Sequence, residues 1–314
     1  MHRRPALRSA RWGAALAAGA LAITAALTGC SSGDPLDSGS ADSGGSSEGG
    51  TIVVGSQDYY SNEIIAEIYA QALEAKDFDV DRQFRIGQRE VYLPEIEAGK
   101  IDLFPEYTGN LLQFFVPDAP ERVSDDVYSA LEKAMPEGLR VLDQSPATDQ
   151  DTYVVTKEFA DKWQLETVED LKKVTDPLTF GSNSEAETRP YGPAGLAKTY
   201  GIEGVKFTPI EDSGGPLTVK ALKDGSIQFA NIYSADPSLQ ANDLVTLEDT
   251  KGIFLASHVV PIASEKIDDA AAQVINDVDA ALSPEDLVSL NGESVNDERS
   301  AADIAKDWLS KQNL

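Results

Sequence analysis

Apolar positions along the chain fall into short runs typical of buried strands and into amphipathic stretches typical of helices. The first run, residues 51–54, ends at a Gly55-Ser56 turn. A helical pattern follows, with apolar side chains three or four residues apart at Ile64, Ile65, Ile68, Ala72 and Leu73. This spacing places them on one helix face. Strands that alternate with such helices predict an α/β fold.

The same arrangement occurs twice in the chain. In the first copy a helix stops at a glycine, and a short strand then runs from an isoleucine to a tyrosine: Gly99, Ile101, Tyr107. The second copy has the same residue types 126 positions later: Gly225, Ile227, Tyr233. Two copies predict two similar lobes. Each lobe would present a tyrosine beyond the carboxyl end of a strand, where open α/β sheets bind ligands.

Two further apolar stretches are predicted to carry the chain between the lobes. The strand 149–155 lies between the two copies, and the run 253–262 follows the second copy. We therefore expect one lobe to comprise residues 51–154 plus 256–314, and the other to comprise residues 155–255. Two crossovers between discontinuous lobes predict a two-segment hinge.

The first 30 residues have the pattern of a secretory signal. Four arginines precede an Ala/Leu-rich stretch from Trp12 to Leu27, and Leu27-Thr28-Gly29-Cys30 closes it. This ending matches the bacterial lipoprotein processing box, so Cys30 is predicted to carry a lipid anchor. A retained membrane helix is the weaker alternative, because the apolar run is short and rich in Ala and Gly. Residues 31–50, mostly Ser, Gly and Asp, are predicted to form a flexible tether.

Net charge excludes two classes of partner. The chain has 26 Lys+Arg and 53 Asp+Glu, a formal net charge of −27. Without the four signal arginines the balance is 22 minus 53, or −31. Nucleic acids and anionic lipid surfaces both attract basic faces. We therefore expect no nucleic-acid partner, and membrane contact through the lipid anchor alone.

The reactive side chains argue against an enzyme. Beyond the signal the chain has one histidine, His258, and its single cysteine is assigned to the anchor. No metal-ligand spacing, phosphate loop or dinucleotide fingerprint is present, so we expect no cofactor. The segment 212–216 (Asp-Ser-Gly-Gly-Pro) resembles the nucleophile segment of chymotrypsin-like proteases, which leaves a serine hydrolase using Ser213 as an alternative. That alternative lacks an upstream base histidine.

Tyrosine is the candidate binding chemistry. Tyr107 and Tyr233 end equivalent strands, and Tyr153 lies at the predicted crossover. Aromatic faces attract cations, so several rings around one pocket suit a quaternary ammonium group, which cannot donate hydrogen bonds. Asp151 would add negative charge, and Arg189 could pair with a carboxylate at the far end of the ligand.

The chain resembles the osmoprotectant solute-binding proteins, which serve ABC importers of glycine betaine, choline, carnitine and proline betaine. The segment 105–109 (Pro-Glu-Tyr-Thr-Gly) is the most specific mark of the resemblance, with supporting marks at 55–56, 99–103, 151–153 and 187–189. The resemblance covers the chain from Thr51. It implies a periplasmic-binding-protein fold, type II-like, whose two lobes close on the ligand. It also implies a non-enzymatic receptor at the extracytoplasmic face of the membrane, with a permease and an ATPase as partners.

The resemblance also implies site residues. Tyr107, Tyr153 and Tyr233 would form a tyrosine box for the trimethylammonium group, and three residues would occupy polar ligand-contacting positions: Asn110, Asp151, Arg189. Two positions depart from the family pattern. Gln57 stands where a lysine often helps to hold the ligand carboxylate, and the returning crossover has Ser257 and His258 where another box tyrosine is common.

Tyr59 and Tyr60 are candidates to replace the missing ring. The departures leave the ligand open between a carboxylated betaine, choline and an unrelated osmolyte. A receptor of the same fold that senses its ligand for a signalling partner is a further alternative.

Overall fold

Two five-stranded sheets with flanking helices make up residues 50–314, the part of the chain that the computed structural model describes. The predicted signal peptide, Cys30 and the tether up to residue 49 lie outside the described residues. None of the described helices has the length and apolar composition needed to cross a bilayer.

The strands, in chain order, are β1 (Ile52–Gly55), β2 (Val80–Gln83), β3 (Leu103–Tyr107), β4 (Leu139–Val141), β5 (Asp151–Thr156), β6 (Thr179–Ser182), β7 (Lys206–Pro209), β8 (Phe229–Tyr233), β9 (Leu244–Leu247) and β10 (Val259–Ser264). The helices are α1 (Tyr60–Glu74), α2 (Arg89–Glu97), α3 (Thr108–Phe115), α4 (Ser124–Ala134), α5 (Lys157–Trp163), α6 (Pro193–Tyr200), α7 (Pro216–Lys223), α8 (Ser238–Ala241), α9 (Asp269–Ala281), α10 (Pro284–Asn296) and α11 (Ala301–Gln312). Two 3-10 segments span Val168–Lys173 and Ser184–Glu187.

The two sheets have the same topology. The first has the order β2-β1-β3-β10-β4, and the second has the order β7-β6-β8-β5-β9. In each sheet the first three strands are parallel, and the fourth runs antiparallel to both of its neighbours. The α/β architecture predicted from the alternating pattern is therefore present in both lobes.

The internal repeat is visible in the strands that carry it. Both ends of β3 and β8 differ by 126 residues. The repeated glycines, Gly55 at the end of β1 and Gly181 within β6, lie where a neighbouring side chain comes close to the backbone. A Cβ on Gly55 would meet the Phe104 ring at 2.8 Å, and a Cβ on Gly181 would meet Ile227 Cδ1 at 2.4 Å. The shared glycines thus follow from shared packing.

Helix α1 lies at the centre of the first lobe. Its apolar face packs in one core cluster with side chains of the sheet and of the C-terminal helices α9, α10 and α11. The chain therefore returns to the first lobe after β9. A separate cluster around Phe180 and Phe229 fills the second lobe.

The first crossover differs from the prediction. Strand β5 pairs along its length with β8 and β9, so all of it belongs to the second sheet. The predicted lobe boundary after Val154 therefore falls inside β5, and the chain changes sheets before Asp151. A buried apolar strand carries no sequence signal for the sheet it joins, because partners are chosen by tertiary contacts.

Candidate functional site

A cavity lies between the two lobes at the edge where the repeated strands end. The first lobe contributes Gln57, Tyr59, Gln88, Arg89, Tyr107 and Asn110. The second contributes Asp151, Glu185, Arg189, Tyr191 and Tyr233, and Asp149 lies in the crossover between them. Of the sequence-predicted site residues, the structure brings Gln57, Tyr107, Asn110, Asp151, Arg189 and Tyr233 to this cavity.

The topology explains why these residues meet. Tyr107 and Tyr233 are the last residues of β3 and β8, which occupy the same place in the two sheets. Strand β5 is antiparallel to β8, so its first residue, Asp151, lies opposite Tyr233 in the register. On the first lobe, Tyr59 immediately precedes α1 and Arg89 begins α2. The cavity is therefore built from strand ends and helix starts, as in other open α/β sheets.

Four tyrosines line the cavity, and we call them the tyrosine cage: Tyr59, Tyr107, Tyr191 and Tyr233. The Tyr59 ring centroid lies 6.5 Å from that of Tyr107 and 5.2 Å from that of Tyr233. The Tyr59 hydroxyl donates to the Tyr107 hydroxyl. Burial is the first cause that raises the pKa of each of the four phenols, so the rings stay neutral at physiological pH.

Tyr153 does not line the cavity. Its fully buried ring packs against Phe180, Phe229 and Phe254 in the core of the second lobe. Its hydroxyl donates to the backbone oxygen of Tyr191, so Tyr153 supports a cage residue from behind. Its placement in the box is therefore corrected, because Tyr153 lies two residues into β5 and only the start of that strand reaches the cavity.

A hydrogen bond between Asn110 and Asp151 joins the lobes across the cavity. The Asn110 side-chain amide donates to Asp151, and Ser257 Oγ donates to Asn110 Oδ1 at 2.8 Å. Asn110 is thereby oriented by the returning crossover and presented to the second lobe. Ser257, at a position where the family pattern often has a box tyrosine, thus positions Asn110.

Two guanidinium groups in the cavity wall have carboxylate partners. Arg89 makes a two-pronged pair with Glu106 at 2.6 and 2.9 Å, and Arg189 pairs with Glu90 of the other lobe at 2.7 Å. Among the described residues, Gln57 Nε2 and Arg189 Nε are buried donors without a hydrogen-bond partner. Buried donors normally have partners, so this part of the wall can receive an acceptor such as a ligand carboxylate.

Three carboxyl groups share the cavity with the rings. Burial raises the pKa of Asp151. Hydrogen bonds from the Asn110 and Asn231 side chains oppose part of that rise. Burial likewise raises the pKa of Glu185. For Asp149, burial raises the pKa to about 7, with Asp236 and Asp151 adding to the shift and the Ala235 N–H opposing it. The wall thus combines neutral rings with carboxyl groups.

Comparison with known proteins agrees with this geometry. Residues 50–311 match the family described as the substrate binding domain of the ABC-type glycine betaine transport system. This chain belongs to that family. Members of the family are the substrate-binding parts of ABC transporters, so the chain is a transporter-associated binding protein.

Individual relatives are distant in sequence but similar in length and fold. The chain is 26% identical over 275 residues to the glycine betaine-binding protein YehZ of Escherichia coli, covering 83% of this chain and 90% of that one. It is 26% identical over 278 residues to the carnitine transport binding protein OpuCC of Listeria monocytogenes, covering 86% and 89%. A crystal structure of a glycine betaine/carnitine/choline ABC transporter shares the fold, with a TM-score of 0.67, 23% identity and coverage of 83% and 98%.

The serine hydrolase alternative has no support in this family member. Ser213 exchanges two hydrogen bonds with the Asn183 side chain, at 3.0 and 3.1 Å. The one histidine of residues 50–314 is His258, whose Nδ1 lies 3.0 Å from the Ser145 carbonyl oxygen. The nucleophile and base therefore lack the hydrogen bond that such a mechanism needs.

Sequence reasoning missed several residues of this cavity wall: Gln88, Arg89, Asp149, Glu185 and Tyr191. Tyr59 was identified only as a candidate. Tyr60 does not line the cavity, because its hydroxyl donates to Asp236 Oδ2 at 2.8 Å outside it. The one sequence signal for two of them was a short distance along the chain from a predicted site residue. Tyr191 lies two residues from Arg189, and Asp149 lies two residues from Asp151.

The cavity is small. Its free volume of about 20 Å³ has room for about one water molecule.

Proposed function

We propose that this protein is the extracytoplasmic receptor of an ABC importer and binds a quaternary ammonium osmoprotectant, such as glycine betaine or choline, for delivery to the permease. The observation that carries the proposal is the tyrosine cage, to which both lobes contribute rings. A ligand held by Tyr107 and Tyr233 together would contact both lobes and favour the closed form.

Cation–π attraction supports this ligand class. A quaternary ammonium group has no N–H to donate, so ring faces can replace its hydration without leaving unpaired donors. Each desolvated ring contributes roughly 1–2 kcal/mol. The three carboxyl groups in the wall supply negative charge beside the rings when they are ionised. Gln57 Nε2 and Arg189 Nε supply unpaired donors for a carboxylate at the other end of a betaine.

The test is a calorimetric titration of the purified protein with glycine betaine, proline betaine, choline and carnitine. At least one of the four is expected to bind. A matched ligand pair tests the charge: 3,3-dimethyl-1-butanol has the shape of choline without its charge and should bind at least tenfold more weakly. If none of the four binds, or if the uncharged alcohol binds as well as choline, the cage does not select a cation.

We also propose that Cys30 anchors the protein to the outer face of the cell membrane. The support is the Leu27-Thr28-Gly29-Cys30 motif after the apolar stretch. Cys30→Ser removes the thiol that carries the lipid, and each buried CH₂ of such a chain contributes about 0.8 kcal/mol to membrane binding. Metabolic labelling with palmitate should mark the wild type and not the variant. Equal labelling would refute the anchor.

A further inference from the structure

Asp149 is a buried carboxyl group in the cavity wall without a basic partner. Its residue is 3% exposed, and Oδ1 accepts a hydrogen bond from the Ala235 N–H at 2.9 Å. Some buried acids in the described part of the chain do pair with cations: Glu106 pairs with Arg89, and Asp102 pairs with Lys266 at 2.9 Å. Asp149 makes no such ion pair within residues 50–314.

The groups that face Asp149 come from every element around it. Asp151 at the start of β5 and Asp236 after β8 are acidic. The remaining titratable neighbours are phenols from both lobes: Tyr59, Tyr60, Tyr107 and Tyr233. Ser61 faces it as well, with a hydroxyl group. Two carboxyl groups and four neutral phenols provide no positive charge. The two arginines of the same cavity wall, Arg89 and Arg189, are paired with Glu106 and Glu90 and not with Asp149. The ionised form of Asp149 is therefore costly in the free protein.

We propose that Asp149 couples ligand binding to proton release, so that the site selects ligands of net positive charge and binds them more tightly as pH rises. This inference rests on the proposed function, because it assigns the missing positive charge to the quaternary ammonium ligand itself. A choline-type cation would neutralise the ionised carboxylate. In a zwitterionic betaine the ligand's own carboxylate offsets part of that gain.

The direction of the pH effect follows from linkage. Below its pKa of about 7, Asp149 in the free protein holds a proton. A bound cation lowers that pKa, because it favours the charged form of the acid. Binding then expels the proton, and affinity rises by up to about tenfold per pH unit until the free-protein pKa is passed.

The experiment is a calorimetric titration of the full chain in detergent with choline, at about pH 5.5, 6.5 and 7.5. Choline does not itself ionise in this range, so any change belongs to the protein. We expect the wild-type dissociation constant to fall severalfold to tenfold between the first two values and to change less above them. Asp149→Asn mimics the protonated acid, so its affinity should stay near the wild-type value at low pH and vary little with pH.

Three control variants separate Asp149 from its neighbours. Asp151→Asn should keep the pH dependence of choline affinity, because it leaves the titrating group in place, and should move the midpoint to lower pH, because it removes a like charge near Asp149. Asp236→Asn removes a like charge from beside Asp149, so it should keep the slope and move its midpoint to lower pH. Glu185→Gln removes the third carboxyl group of the cavity wall, whose pKa burial also raises, and it should likewise keep the pH dependence of choline affinity.

Proton counting gives a readout that needs no variant. Titrations near pH 6 in buffers of different ionisation enthalpy should show about one proton released per choline bound, and a smaller fraction for glycine betaine. Choline binding that is independent of pH, or a slope that persists in Asp149→Asn, would overturn this inference and leave the proposed function standing. Failure of every quaternary ammonium ligand to bind at any pH would instead remove the proposed function, and this inference with it.

Discussion

At the scale of single residues, Tyr107 and Tyr233 are matched rings at the ends of β3 and β8. Replacing either with alanine should weaken quaternary ammonium binding tenfold or more, about 1.4 kcal/mol per factor of ten, because a ring face is lost. Phenylalanine should cost less, since it keeps the face. Calorimetric titration measures both effects. Tyr128→Phe, which removes a hydroxyl bonded to the Leu142 carbonyl oxygen away from the cavity, is the control.

Unchanged affinity in both alanine variants would show that the rings do not hold the ligand. A loss as large with phenylalanine as with alanine would assign the effect to the hydroxyl groups, for which the hydrogen bond between Tyr59 and Tyr107 is the structural candidate.

Loss of the Arg189 side chain should affect carboxylated and non-carboxylated ligands to different extents. Arg189→Ala should weaken glycine betaine far more than choline, because choline has no carboxylate to pair with the guanidinium. The substitution also breaks the interlobe pair with Glu90. Glu90→Gln is therefore the matched control, since it removes that pair and keeps the guanidinium in place. A calorimetric comparison of both ligands in both variants decides the question, and equal losses for choline and betaine would contradict a carboxylate role.

Some residues of the cavity wall can be predicted from the sequence, and others cannot. Tyr107 and Tyr233 were found because the repeat puts both at strand ends, which topology brings together. Tyr153 was misplaced because it shares a strand face with Asp151 but lies about 7 Å further along the strand, inside the core. Tyr191 and Glu185 come from an irregular segment after β6, whose path is set by tertiary contacts and has no periodicity to detect.

At the scale of elements, the packing of α1 on α9 contains a buried acid that the site does not use. Tyr69 donates to Asp279 Oδ1 at 2.6 Å, and both residues are fully buried. Burial raises the pKa of Asp279 well above its ordinary value, with a smaller contribution from Asp143. The folded state therefore favours the protonated acid. The stabilising contribution is full below the unfolded-state pKa of about 4 and is lost as pH rises through the folded-state pKa.

Asp279→Asn keeps the shape and cannot ionise. The free energy of unfolding of this variant, relative to wild type, should accordingly increase with pH above about 4. Urea denaturation at about pH 4.5 and 7.5 measures the difference. If the difference in free energy of unfolding between the two proteins is the same at both pH values, Asp279 does not titrate in this range. Asp277→Asn on the same helix, whose carboxylate is bonded to Gln273, is the exposed control.

The elements were largely predictable because each copy of the repeat carries its own apolar pattern and turn glycines. The order of the strands within each sheet was harder to predict. The apolar pattern predicts β5 and β10 as strands at the two crossovers, and the ladders show which sheet each one joins and that each pairs antiparallel there. The misplaced boundary at Val154 follows from this, since a crossover is defined by pairing and not by hydrophobicity.

At the scale of the whole molecule, three contacts between side chains join the lobes in addition to the bridge between Asn110 and Asp151. Arg189 pairs with Glu90, Lys198 pairs with Asp118 at 2.5 Å, and the Tyr60 hydroxyl donates to Asp236 at 2.8 Å. The Lys198–Asp118 pair is exposed and contributes little. Tyr60 and Asp236 are better shielded, and a hydrogen bond to a charged group is worth about 1.5–3 kcal/mol. Tyr60 is therefore the contact whose loss should most affect closure.

Tyr60→Phe should shift the free protein toward the open form and weaken ligand binding about tenfold, because closure then gains one hydrogen bond fewer. Small-angle X-ray scattering with and without saturating ligand would show a larger radius of gyration for the free variant and a larger decrease on binding. Tyr200→Phe is the matched control, since the Tyr200 hydroxyl also donates to a carboxylate, that of Asp249, but within one lobe. If both variants scatter and bind alike, the Tyr60 hydroxyl has no part in closure. If only Tyr60→Phe binds ligand more weakly and scatters as a more open protein, the hydrogen bond between Tyr60 and Asp236 stabilises the closed form.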